Sequence, residues 1–310
     1  MKLLTYIESG EMKLGIVTER GVLDVAAAAA RLSGGDEVPL TVMQAIEGGG
    51  AANARLEELA RRAAREGDDA LYRQEDQLEW GPCVTRPGKI ICVGLNYRRH
   101  AEETNSPIPV TPILFNKFDN TLTAHLKDVA VPRVTEKLDY EAELAVVIGR
   151  QAKYVSRDEA LNYVYGYCCV NDLSARDLQM RTSQWLTGKS CDDFSPLGPY
   201  LVTADEVGNP NDLGIRAYVN GELRQNSNTS DMIFHVDEIV SYVSQYMVLS
   251  PGDVILTGTP EGVVMGYPPE KQIYLKPGDE VTIEIDKLGA LTNRMVEEKA
   301  LPTAAGNVLR

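Results

Sequence analysis

Residues 138–149, Leu-Asp-Tyr-Glu-Ala-Glu-Leu-Ala-Val-Val-Ile-Gly, place two carboxylates two positions apart at the start of an apolar run. The run predicts a buried strand over Glu143–Ile148. Side chains alternate along a strand, so Glu141 and Glu143 share one face. Leu144, Val146 and Ile148 point the other way, while Ala145 and Val147 continue the acidic face as apolar surface. Similar short runs predict strands at Ile90–Val93, Ile113–Lys117, Val164–Val170, Tyr200–Val202, Ile215–Val219 and Val254–Thr257. Asn220-Gly221 supplies a two-residue hairpin turn, and two Pro-Gly-Asp turns, at 251–253 and 277–279, each introduce a strand. Helical patterns fall at Arg157–Tyr163, Asp172–Thr187 and Val236–Met247. Many strands and few helices indicate a β-rich α+β fold.

The first 80 residues read differently. Leu3–Ile7 and Lys13–Val17 flank a Ser9-Gly10 turn, and helices are expected at Val25–Leu32, Leu40–Ile46 and Ala51–Arg65. The pattern predicts a small N-terminal α/β accessory domain over 1–80. A Gly- and Pro-containing linker leads from it into a larger domain over 85–300.

Of the 310 residues, 44% are hydrophobic and 25% charged, enough to bury a full core. A net charge of −14 argues against nucleic acid as a partner. No apolar run reaches membrane-spanning length, and Met1–Ile7 lacks the apolar stretch of a signal peptide. Five cysteines without a Cys-x-x-Cys spacing indicate reduced thiols, and the expectation is a cytoplasmic protein.

Two buried anions side by side cost several kcal/mol unless a cation offsets them. Carboxylate oxygens favour Mg2+ or Mn2+, with Ca2+ a third choice, over zinc. Asp172 follows a buried strand in Asn-Asp-Leu-Ser-Ala-Arg-Asp-Leu-Gln, where it either caps a helix or joins Glu141 and Glu143 as a ligand. Arg176 and Gln179 fall on the same expected helical face. His100 and Glu103, three apart, form either a solvated surface pair or a general base oriented by its carboxylate. Lys189 is a solvated lysine or a cation for an anionic substrate. The glycines of Thr257-Gly-Thr-Pro-Glu-Gly-Val263 form a tight turn or let backbone amides approach a ligand.

Five segments in this order resemble the fumarylacetoacetate hydrolase superfamily. They are Gly-x-Asn-Tyr-x-x-His-x-x-Glu, Asp-Tyr-Glu-x-Glu-Leu, Asn-Asp-x-x-Ala-Arg-Asp-x-Gln, Gly-Lys-Ser and Thr-Gly-Thr-Pro-x-Gly-Val, spread over residues 88–297. The resemblance implies a mixed β-sheet roll, a divalent metal on Glu141, Glu143 and Asp172, and a homodimer. It places His100 and Glu103 on a mobile lid, makes Lys189 catalytic, and offers Arg176, Gln179, Thr259 and Lys117 as substrate contacts. At Lys117 the match is imperfect, because Phe118 stands where the family often has proline. The expected substrate is a small anionic 2-oxo acid with a β-carbonyl or β-carboxylate. The expected chemistry is C–C cleavage, by acylpyruvate hydrolysis or oxaloacetate decarboxylation through a pyruvate enolate. Isomerisation of a 2-hydroxymuconate-type acid and non-catalytic metabolite binding are the alternatives.

Overall fold

A computed structural model describes residues 1–299. The strand Ala142–Ile148, buried at every position, lies inside a twelve-stranded mixed sheet. On one side it pairs antiparallel with Val164–Asn171, with Glu143 opposite Val170. On the other side come Val254–Leu256, then Ile90–Gly94 parallel to that strand, and Ile113–Lys117 at the edge. Beyond Val164–Asn171 lie Ser195–Thr203 and Lys2–Glu8, the latter in register Lys2 to Val202.

The alternation expected for the Glu143 strand decides what each face packs against. Leu144, Val146 and Ile148 enter a core with Ile239, Val240 and Val243 of the helix Val236–Tyr246. A second, five-stranded sheet covers the same core through Ile215, Ile283 and Leu291. Ala145 and Val147 face the opposite core, with Leu56, Leu59 and Ala63 of the helix Val42–Glu66. Strands from the first 80 residues therefore extend the large sheet, and their helix roofs its second face. The expected domain end at residue 300 lies outside the described residues.

Several local expectations follow directly. Val25–Leu32 is helical, capped by Asp24. Val42–Glu66 starts on a Thr41–Gln44 capping box and breaks at Gly49, between the two helices read from the sequence. Asn220 and Gly221 both take positive φ, as a tight hairpin requires. Arg157–Tyr163 is a 3-10 helix.

The helix expected over Asp172–Thr187 does not form. Ser174–Ala175 instead pairs with Leu138–Asp139, and only Arg176–Gln179 and Leu186–Lys189 coil, four residues each. Tertiary contacts override local propensity here. Arg176 donates its amide to the Lys137 carbonyl. Gly188 lies so close to Gln179 that a Cβ would sit 2.4 Å from its backbone nitrogen.

Candidate active site

Register between two antiparallel strands assembles the acidic cluster. Ala142 faces Asn171 across the ladder, which brings the residues just outside it together. The Glu141 amide donates to Asn171 Oδ1 at 3.0 Å, and the Asp172 amide donates to the Glu141 carbonyl at 2.9 Å. Each of Glu141, Glu143 and Asp172 then offers a carboxylate oxygen, all within 4.8 Å of one another. All three side chains are buried.

The surrounding cations serve these carboxylates unequally. Lys189 Nζ lies 2.6 Å from Glu141 Oε2 and 2.7 Å from Asp172 Oδ2, and Arg176 Nη2 lies 2.7 Å from Glu141 Oε1. Lys117 pairs with Asp172 Oδ1. Burial works to raise the Glu141 carboxyl, but the Lys189 and Arg176 charges outweigh it and hold it at about 2. Glu143 has no such partner: among the described residues the one hydrogen bond to its carboxylate comes from the Gly258 amide, at 2.8 Å. Burial first, then the Asp172 and Glu141 charges, push its carboxyl well above the usual range. With Glu143 ionised, four carboxylates (Asp139, Glu141, Glu143, Asp172) against three cations (Lys117, Arg176, Lys189) give the buried cluster one negative charge. An all-oxygen donor set with an uncompensated carboxylate fits a hard divalent cation, and the bound state would carry one net positive charge toward an anionic ligand.

A cleft of about 190 Å3 opens over the cluster, with Glu141, Glu143, Arg176, Gln179, Lys189, His100 and Thr259 in its wall. His100 and Glu103 share the short helix Arg98–Glu103. His100 Nδ1 and Glu103 Oε1 face each other at 3.9 Å, too far for a hydrogen bond, and both are buried without other partners. The other Glu103 oxygen accepts from the Gly262 amide at 2.7 Å. The glycine loop after Val254–Leu256 thus does bring backbone amides close, but to protein carboxylates: Gly258 to Glu143 and Gly262 to Glu103. Gly258 has φ +97°, and a Cβ there would lie 2.9 Å from the Val93 carbonyl oxygen.

Seven of the ten residues singled out in the sequence line one cleft, while Glu103 and Asp172 lie outside that lining and face two of its members, His100 and Lys189. Asp172 does not cap a helix; it sits at the back of the site on Lys117 and Lys189. Lys117 is also outside the lining. Its ammonium is fully enclosed behind Asp172, bonded also to the Phe194 carbonyl at 2.6 Å, so it supports the cluster and does not line the cleft. Arg176 and Gln179 are neighbours on a single turn, 3.0 Å apart, without the long helix expected to join them to Asp172. Sequence reasoning missed Asp139, which is fully buried and binds Arg176 Nε at 2.8 Å. The signal was present, since Asp139 continues the two-residue spacing of Glu141 and Glu143.

Residues 89–296 match the family described as fumarylacetoacetate (FAA) hydrolase, C-terminal. The mitochondrial oxaloacetate tautomerase FAHD2B of Bos taurus is 48% identical over 216 residues, which cover 69% of this chain and 68% of that one. A fumarylacetoacetate hydrolase structure from Exiguobacterium antarcticum superposes with a TM-score of 0.79 at 30% identity, covering 96% of this chain and all of that one. Maleylpyruvate hydrolase from Sphingobium sp. SYK-6, solved with manganese(II) and pyruvate, superposes at 0.76 with 27% identity over 96% of this chain and all of that one. The bovine name corrects the cytoplasmic expectation. Free thiols point to a reducing environment and do not choose between compartments.

Proposed function

Because the chain belongs to the fumarylacetoacetate hydrolase family, enzymes of small oxo acids, we propose that it interconverts the keto and enol forms of a small 2-oxo diacid of the oxaloacetate type. The carrying observation is the placement of a buried His100–Glu103 pair and a three-carboxylate cluster on one small cleft. Glu141, Glu143 and Asp172 would hold Mg2+ or Mn2+. Such an ion acidifies the C–H beside a carbonyl that it polarises.

This chain's residues account for the rest. Lys189 and Gln179 present donors to substrate oxygens, and Thr259 adds a hydroxyl to the wall. His100 takes the proton from the carbon between the carbonyls and delivers it to the oxygen of the resulting enolate, which yields the enol. Glu103, facing Nδ1, stabilises the imidazolium formed in between. Phe115 and Trp185, packed edge to face at 5.2 Å, limit water at the cleft wall. The tautomerase name of the bovine relative supports this reading over bond cleavage.

C–C cleavage, expected from the sequence, is the second reading. It also passes through an enolate, formed there by breaking a C–C bond and not a C–H bond, and the maleylpyruvate hydrolase likeness favours it. Following oxaloacetate with Mg2+ by enol absorbance and carbon NMR separates the two. Accelerated interconversion with all four carbons retained is expected, and pyruvate appearing at the same rate would replace tautomerisation by cleavage. His100→Ala should lower kcat by about 10²–10⁴; full activity in that variant would remove His100 from the mechanism. We also propose the homodimer implied by the family, which light scattering tests.

A further inference from the structure

Asp139 starts a chain of hydrogen bonds that runs from rigid backbone to the cleft. The Val264 amide donates to its Oδ1 at 2.9 Å and the Met265 amide to its Oδ2 at 3.1 Å. Oδ2 also accepts from Arg176 Nε at 2.8 Å, and the carboxylate is fully buried. Arg176 Nη1 donates in turn to Gln179 Oε1 at 3.0 Å. A guanidinium carries donors only, so Gln179 has to turn its oxygen toward Arg176. Its NH2 end remains for the cleft, where Gln179 stands in the wall with Glu141 and Lys189.

We propose that Asp139 is a positioning residue for substrate recognition: by fixing Arg176 it holds the Gln179 amide with its NH2 toward the cleft, as a donor to an oxygen of the oxo acid. The proposal rests on the oxo-acid reading above. Two backbone amides fix the carboxylate, and the carboxylate fixes Nε. Without that anchor the guanidinium keeps only its contacts to Glu141 and Gln179 and can pivot toward Glu141. The Gln179 amide is then free to present its oxygen, which repels an anionic ligand. Glu143 and Asp172 form no hydrogen bond or ion pair with the side chains of Asp139 or Arg176 among the described residues, so ion binding need not be lost with it.

Calorimetric binding of pyruvate to the Mn2+-loaded protein tests this in wild type, Asp139→Asn, Gln179→Ala and the double variant. Asp139→Asn is expected to weaken pyruvate about tenfold, with Mn2+ affinity within about threefold of wild type. In the Gln179→Ala background the same change should add less than about twofold, because the two residues act in series. Fully additive effects, or unchanged pyruvate affinity in Asp139→Asn, would overturn the proposal. Gln179→Glu provides an arm that leaves Asp139 intact. Its second oxygen would face the cleft, and at least a tenfold loss of pyruvate with Mn2+ retained is expected; unchanged pyruvate affinity would again overturn it. Wild type that binds Mn2+ but not pyruvate would overturn the oxo-acid reading itself, whereas additivity defeats the Asp139 proposal alone.

Discussion

The Gly258 amide donates to Glu143 Oε2 at 2.8 Å, and this contact ties a positive-φ turn to the one carboxylate of the cluster that lacks a cation. Gly258→Ala would place a methyl 2.7 Å from Asn96 Cβ and 2.9 Å from the Val93 carbonyl oxygen, at φ +97°. The strain should cost about 1–3 kcal/mol of stability. As the turn shifts, Glu143 loses its amide, so Mn2+ affinity should fall together with the urea midpoint. Lost stability with undiminished Mn2+ affinity would show that the amide does not support the cluster.

Lys117 is the enclosed counter-ion of Asp172. Replacing it by Met keeps the volume and strands a buried carboxylate on Lys189 alone. Removing one partner of a buried pair costs about 3–5 kcal/mol. The urea midpoint of Lys117→Met in metal-free buffer should drop accordingly, and part of the loss should return when Mn2+ is added. A wild-type midpoint would mean that Asp172 is satisfied without Lys117.

A pH effect on stability is expected away from the cleft. His125 Nδ1 accepts the Thr292 amide at 3.0 Å, and its ring meets Trp80 edge-on at 4.8 Å. Burial lowers its pKa to about 4, against the ordinary 6.5 of an unfolded chain. Between these values the unfolded chain binds the additional proton, so stability rises with pH. His125 contributes fully above about 6.5, and its share is lost as pH falls toward 4. Melting scans from pH 7 to 4 should show a steeper decline for wild type than for His125→Gln. Parallel declines would contradict the burial of a neutral imidazole.

Local patterns made the cluster readable, and long-range contacts hid what surrounds it. Glu141 and Glu143 follow from the two-residue period of a strand, and Asp172 from its place at the end of the next one. The Asp172–Thr187 segment has helical spacing, yet pairing of Ser174–Ala175 with Leu138–Asp139 and the close approach of Gly188 to Gln179 break it. Lys117 ends a strand after Asn116 and Lys189 ends a turn after Gly188, and neither neighbour tells that the first supports a ligand whereas the second reaches the cleft. Asp139 has the right spacing, but its role depends on Val264 and Met265, more than 120 positions along the chain. The first 80 residues look separate in composition, while the pairing of Lys2–Glu8 with Ser195–Thr203 depends on a register that composition does not carry.

Titration of the metal-free protein with Mn2+, followed by calorimetry in parallel with Glu143→Gln, bears most directly on the claim that Glu141, Glu143 and Asp172 grip one divalent ion. One ion per chain in wild type is predicted, with affinity reduced by at least about a hundredfold in the variant. Equal affinity in both proteins, or no Mn2+ bound by wild type, would contradict it.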